Sequence, residues 1–309
     1  MFTRILYPTD FSDVSKKALE YVKKLKEAGT RKVIIVHIID GREIEGLSYA
    51  RAWAGELPVD LEKKALKRLQ GEAQKKLEDI EAELKGKDFN VRVRIGIGSP
   101  FKEILKMEDE EDVSAIIIGS HGKSNIKEML LGSVSENVIR YCKKPVLVTK
   151  RQEIGIEMFT RILYPTDFSD VSKKALEYVK KLKEAGTREV IIVHIIDERQ
   201  IVRFPVMKIA WDRERLNNVA TELQEHLEKN TKEELKTVES ELKRVGFNVK
   251  VIMRIGSPFR EILRVEDEED VSAIVIGSHG KSNIKEMFLG SVSENAIRYC
   301  KKPVLVVKR

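Results

Sequence analysis

Two glycines, Gly119 and Gly122, are separated by two residues, and nine further residues lead to Gly132-Ser133, with Ser135 just beyond. Glycine lets backbone N–H groups approach an anion closely and admits positive φ. A glycine-serine pair that opens a helix leaves N–H groups unpaired at the positive end of the helix dipole, so types and spacing together point to phosphate. The run Ser133-Val134-Ser135-Glu136 is also a capping box, which needs no ligand. The two readings are compatible, because a capping serine can serve the helix while neighbouring N–H groups face phosphate. A second unusual loop, Pro8-Thr9-Asp10, breaks the first apolar run of the chain.

Other chemistry is weaker on inspection. The string GSHGKS at 119–124 looks like a Walker A loop, but two residues instead of four separate its glycines, so it cannot wrap phosphates in that way. Lys123 and Lys127 can reach a phosphate, although a solvated loop face explains them better. His121 and His279 have no matched carboxylate or nucleophile in the sequence, so they read as loop histidines and not as acid–base catalysts. The acidic runs at 109–112 and 267–270 read as solvated turns before a strand. Cys142 and Cys300 occupy the same place in two halves of the chain, without C-x-x-C or Cys/His metal spacing, and read as small core residues.

Those loops need elements to hold them, and a repeat supplies the frame. Residues 2–31 recur letter for letter at 159–188, an offset of 157, and GSHGKSNIKEM at 119–129 recurs at 277–287 with the offset grown to 158. A repeat of this length is a whole domain. The expected organisation is a first domain at 1–151, a short linker at 152–157 and a second domain at 158–309. Within the first copy, strands are expected at 2–7, 32–39, 89–95, 113–118 and 145–149. Helices are expected from Asp13 to Gly29, within 56–85, from Pro100 and at 133–141. The run KVIIVHII at 32–39 is apolar and β-branched throughout, as in a strand buried on both faces. Alternating strands and helices demand a doubly wound five-stranded parallel α/β sheet with helices on both faces, Rossmann-like in each copy. With strand one central, ligands bind beyond the carboxyl ends of strands one and four, where the Pro8-Thr9-Asp10 and Gly119–Gly122 loops meet. The copies differ most near Trp53 and Trp211, in the stretches 42–52 and 199–210, which suit a packed loop between domains, or a lid or partner surface that differs between the sites.

Composition narrows the classes. Of 309 residues, 42% are hydrophobic and 35% charged, with 57 basic and 50 acidic side chains giving a net charge of +7. Signs are interspersed, which fits a solvated surface and not the one-sign stripe of a nucleic-acid footprint. The Lys/Glu richness leans towards a protein from a hot environment. No signal peptide opens the chain and no apolar run approaches about 18 residues, so a soluble cytoplasmic protein without a membrane partner is expected.

The pattern Gly119-x2-Gly122-x9-Gly132-Ser133, repeated as Gly277-x2-Gly280-x9-Gly290-Ser291, resembles the nucleotide-binding signature of the ATP-binding branch of universal stress proteins. The resemblance runs through both copies, from ILYPTDFS to KKPVLVVKR. It implies an adenine nucleotide alpha hydrolase-like fold in tandem form, with ATP as ligand (AMP or ADP as alternatives) and Mg or Mn on the phosphates. It also implies that Asp10 and Asp167, with Pro8, Thr9, Pro165 and Thr166 beside them, face adenosine. The backbone of His37, Ile38 and Ile39, and of His194, Ile195 and Ile196, would border the adenine. Gly119, His121, Gly122, Gly132, Ser133, Val134 and Ser135 would surround ribose and phosphates in copy one. Gly277, His279, Gly280, Gly290, Ser291, Val292 and Ser293 would do so in copy two. The halves would form an internal pseudo-dimer, and two chains would pair further as a homodimer. The leading function is a nucleotide-dependent stress-response regulator with slow or no hydrolysis, since no general base or arginine finger is recognisable. A slow ATPase or phosphotransferase, and an interaction scaffold with a structural nucleotide site, are the alternatives.

Overall fold

A computed structural model describes residues 1–43, 61–122, 131–151, 158–199, 213–280 and 289–309, with the backbone alone for 61 and 213–227. Lys123, Lys127, Trp53, Trp211 and the expected linker 152–157 lie outside the described residues. So do the two divergent stretches, save for Arg42, Glu43 and Arg199. Two compact units divide the chain, Met1–Ile154 and Gly155–Arg309.

In the first unit β1 (Arg4–Pro8), α1 (Asp13–Lys24), β2 (Lys32–Asp40), α2 (Leu61–Lys85) and β3 (Asn90–Gly98) are followed by α3 (Pro100–Glu110), β4 (Ala115–Gly119), α4 (Ser133–Tyr141) and β5 (Val146–Thr149). The strands lie parallel in the order β3-β2-β1-β4-β5. In register, Leu6 of β1 sits between Ile34 of β2 and Ile116 of β4. Val33, Ile34, Ile35 and Val36 of β2 are buried completely, because helices cover both faces of a parallel sheet. Burying each such side chain contributes roughly 1.5–3 kcal/mol. Lys23 of α1 is ion-paired to Glu83 of α2 on one face, and Phe101 of α3 meets Tyr141 of α4 on the other, ring centroids 6.4 Å apart.

The second unit repeats this order with β6 (Arg161–Pro165), α5 (Asp170–Leu182), β7 (Glu189–Asp197), α6 (Arg213–Val245), β8 (Asn248–Gly256), α7 (Pro258–Glu269), β9 (Ala273–Gly277), α8 (Ser291–Tyr299) and β10 (Val304–Val307). Its parallel strands follow β8-β7-β6-β9-β10. The expected doubly wound architecture is present in each unit.

Several local expectations change. Strand β1 begins at Arg4, and β3 runs on to Gly98. The capping box at 133–136 does not form: Gly132 is the N-cap of α4, no side chain caps the helix, and the Ser135 hydroxyl donates instead to the Gly119 carbonyl at 2.6 Å. The acidic run 109–112 is not wholly solvated, because Glu111 is buried and paired with Lys32, Arg92 and Arg94. Burial pushes the Glu111 carboxyl up, but the Arg94 hydrogen bond and the charges of Arg92 and Lys32 outweigh it and hold its pKa below the ordinary range.

Candidate functional site

The polypeptide leaves β1 through Pro8-Thr9-Asp10 and enters α1 through a tightly bonded turn. Thr9 Oγ1 accepts from the Phe11 amide at 3.1 Å, and Asp10 Oδ1 accepts from the Ser12 amide at 3.1 Å and its hydroxyl at 2.6 Å. Ser12 in turn caps α1 by accepting from the Ser15 amide. These bonds hold Phe11 at φ 64°, a rare conformation for a bulky residue. The turn also fixes the Asp10 carboxylate, half-buried, with Oδ2 free of hydrogen-bond partners among the described residues.

On the far side of the switch point β4 delivers Gly119, Ser120, His121 and Gly122. A Cβ on Gly122 would stand 2.6 Å from Asp10 Oδ2, so any side chain there would push the Asp10 carboxylate out of its place. Gly119 is constrained by α1, since its Cβ would meet Val14 Cγ1 at 3.0 Å and the Ser15 amide nitrogen at 3.3 Å. The expectation that Gly119 and Gly122 use positive φ is not met; neither is among the glycines in that region. Close approach is the reason for both. Gly132 turns the chain into α4 by donating to the Ser120 carbonyl at 2.8 Å, and the amides of Ser133, Val134 and Ser135 have no acceptor among the described residues.

These segments converge on one cavity of about 430 Å³. Pro8, Thr9 and Asp10 form one wall, the backbone of His37, Ile38 and Ile39 a second, and Gly119, His121 and Gly122 a third. The first turn of α4, from Gly132 through Ser133 and Val134 to Ser135, closes the far end. Every site residue expected in copy one therefore borders the same space. Sequence reasoning missed Phe11 and the α2 face that carries Leu69, Glu72, Ala73 and Lys76, all of which line it too. The Phe11 ring lies 4.5 Å from the His37 ring, with Lys76 Nζ 5.2 Å from the Phe11 centroid. His37 is buried and its Nδ1–H donates to the Thr9 carbonyl at 2.8 Å, which fastens β2 to the β1 loop.

His121 takes part through Nδ1, 2.9 Å from the Ser120 hydroxyl, while its Nε2 is buried without a partner among the described residues. Burial, then the charges of Lys150 and Arg151, lowers its pKa below the ordinary 6.5, so the ring is neutral at pH 7. Among the described residues no group of three or more His, Cys, Asp or Glu can hold a metal ion.

Copy two repeats the local geometry. A Cβ on Gly280 would lie 2.5 Å from Asp167 Oδ2, and Asp167 Oδ1 accepts from Ser169 as Asp10 does from Ser12. His194 donates to the Thr166 carbonyl at 2.8 Å, and Pro165 ends β6. Ile195 and Ile196 follow His194 on β7, beside Arg254 and Ile255 of β8. Gly277 is crowded by the Ser172 amide nitrogen at 3.2 Å, and His279 bonds the Ser278 hydroxyl at 2.9 Å. Gly290 caps α8, whose first turn is Ser291, Val292 and Ser293, and Ser293 donates to the Ser278 carbonyl at 2.8 Å.

Fold and site together define a doubly wound α/β protein with an anion-ready cleft at the switch point of its sheet. The family model described as Universal stress protein family matches residues 1–150 and again 158–308, and the chain belongs to that family. It is 44% identical over 156 residues to Universal stress protein MJ0577 of Methanocaldococcus jannaschii, an alignment covering 49% of this chain and 96% of the relative. It is 32% identical over 151 residues to Universal stress protein YxiE of Bacillus subtilis, covering 49% of this chain and 100% of the relative. A universal stress protein structure from Archaeoglobus fulgidus DSM 4304 superposes with a TM-score of 0.71 at 26% identity, covering 100% of this chain and 99% of that one. Among the described residues no helix is long and apolar enough to cross a membrane.

Proposed function

We propose that this protein belongs to the ATP-binding branch of its family and acts as a nucleotide-dependent stress-response regulator that hydrolyses ATP slowly or not at all. Its two domains, 1–151 and 158–309, are joined in tandem by 152–157. The observation that carries this is the convergence on one cavity of the Asp10 carboxylate, the side-chain-free Gly122 and three α4 amides that have no acceptor among the described residues. Its volume of about 430 Å³ falls within the roughly 300–1,000 Å³ of small-molecule sites.

The residues fit the parts of an adenine nucleotide. Asp10 Oδ2 is an acceptor for adenosine, and the His37–Ile39 backbone offers an edge to the base. The amides of Ser133, Val134 and Ser135, at the positive end of α4, suit phosphate oxygens. A Mg or Mn ion would be held chiefly by the phosphates themselves. Asp167, Gly280 and the first turn of α8 take the same roles in copy two.

Slow turnover is supported by the state of the nearby groups. Asp10 is engaged by Ser12, Asp40 is held by Arg42, and His121 has one ring nitrogen bonded and the other buried. Asp40 and His121 are therefore not poised to activate water, and the free Oδ2 of Asp10 is taken up by adenosine in this reading. The same family resemblance supports an internal pseudo-dimer of the two domains and pairing of chains, which sedimentation analysis with and without ATP tests. The functional test is to purify the chain without added ligand, identify released nucleotide by mass spectrometry, and then follow phosphate release from labelled ATP. Retained adenine nucleotide with ATP intact after an hour is the expected result. Rapid multiple turnover lost in Asp10→Ala/Asp167→Ala would replace the regulator with an ATPase.

A further inference from the structure

A second cavity of about 430 Å³ adjoins the first and shares Asp40, Pro100, Ser133 and Val134 with it. Ser133 and Val134 carry two of the amides assigned to phosphate, which have no acceptor among the described residues, so a phosphate chain seated there has the second cavity beside it. The space lies beyond the ends of β2 and β3. Gly41 and Gly98 meet there without side chains: a Cβ on Gly41 would come 3.6 Å from Gly98 Cα, and Gly98 has φ 134°, which only glycine adopts readily.

The remaining lining offers what a second nucleoside needs. Phe101 supplies an aromatic surface. Arg42 is held as a fork on Asp40, Nε to Oδ1 at 3.0 Å and Nη2 to Oδ2 at 2.5 Å, which fixes a flat guanidinium able to stack on a base. Asn137 donates Nδ2 to the Ser133 carbonyl at 2.8 Å, which turns one end of its amide inward to the helix and leaves Oδ1 as an acceptor.

Copy two repeats every lining residue except one. Arg199, Gly256, Phe259 and Asn295 recur, but Glu198 stands where copy one has Gly41. Glu198 is exposed, and it adds a negative charge at the position equivalent to Gly41, which disfavours an anionic chain passing there.

Building on the adenine-nucleotide assignment of the first cavity, we propose that copy one binds an adenosine polyphosphate carrying a second nucleoside, which occupies the Gly41–Gly98 cavity. Copy two takes the mononucleotide alone. The pair Gly41/Glu198 sets that difference.

The test is calorimetric titration of the full chain with ATP and, separately, with di(adenosine-5′) tetraphosphate. One site per chain should bind the dinucleotide at least about tenfold tighter than ATP. Gly41→Glu should abolish that preference and leave ATP affinity within about twofold. Glu198→Gly should create a second preferring site, a gain that loss of folding cannot imitate. ATP binding without dinucleotide preference in the wild type, or a preference that survives Gly41→Glu, overturns the second subsite alone. Failure of both ligands to bind overturns the first-cavity assignment and the subsite with it.

Discussion

At Gly122 a single missing carbon decides where the Asp10 carboxylate can sit. Asp10 Oδ2 sits where a Cβ would be, 2.6 Å away, and Gly280 and Asp167 repeat the relation at 2.5 Å. Because the contact is between loops at the mouth of the cleft, Gly122→Ala should displace the Asp10 carboxylate without opening the core. ATP affinity at that site should fall about tenfold, or about 1.4 kcal/mol. The ligand-free melting temperature should move by only a few degrees. Calorimetry and thermal denaturation of the same sample check both, and unaltered affinity would remove Asp10 from the site. The glycine spacing in the sequence pointed to this loop, but for a different reason from the one that operates. Positive φ was expected, whereas close approach to Asp10, Val14 and Ser15 is what excludes a side chain. Phe11 went unseen because an ordinary phenylalanine gives no sign in sequence that local hydrogen bonds will hold it at positive φ.

The elements were legible where periodicity or β-branching was strong, as in β2 and α1, and less so at their ends. S-V-S-E reads equally well as a cap or as an open helix start; the helix begins one residue early, with Gly132 at the N-cap and Ser133 already in the first turn, and that decides between them. The α2 face towards the cavity was hidden for a similar reason, since helical spacing gives a buried stripe without saying which residues flank a ligand. A second element-scale device ties α3 to the chain after α4. Glu108 is buried and accepts from the Lys143 and Lys144 amides at 2.8 and 2.7 Å, and Glu266 accepts from Lys302 at 2.7 Å. Burial pushes both carboxyls above their ordinary 4.5, against the amide hydrogen bonds that favour the charged form. A carboxyl raised on folding contributes stability that is full below pH 4.5 and lost as pH climbs through the raised value. Glu108→Gln/Glu266→Gln keeps the acceptors and removes the titration. Its melting temperature relative to wild type should therefore rise between pH 4.5 and neutrality, and a constant difference would contradict this origin.

Across the whole molecule, the duplicated sequence hides unequal sites. The buried Leu77 and Leu84 of α2 correspond to Leu235 and Leu242 of α6, which sets the register between the two helices. On that register Glu72 and Lys76 at the first cavity become Asn230 and Glu234 in copy two. A cation beside Phe11 is thus exchanged for an anion. The first site should bind ATP more tightly, and Lys76→Glu should weaken it about threefold, an effect that shrinks in high salt because the charge is exposed. Two-site calorimetry at low and high ionic strength separates this from a change in fold. The central claim, that the cleft at the switch point holds an adenine nucleotide, is tested most directly by titrating the nucleotide-free chain with ATP at two temperatures. Saturable binding that Asp10→Ala/Asp167→Ala removes is the predicted result. No heat at millimolar ATP at either temperature, or equal binding by the variant, would contradict it.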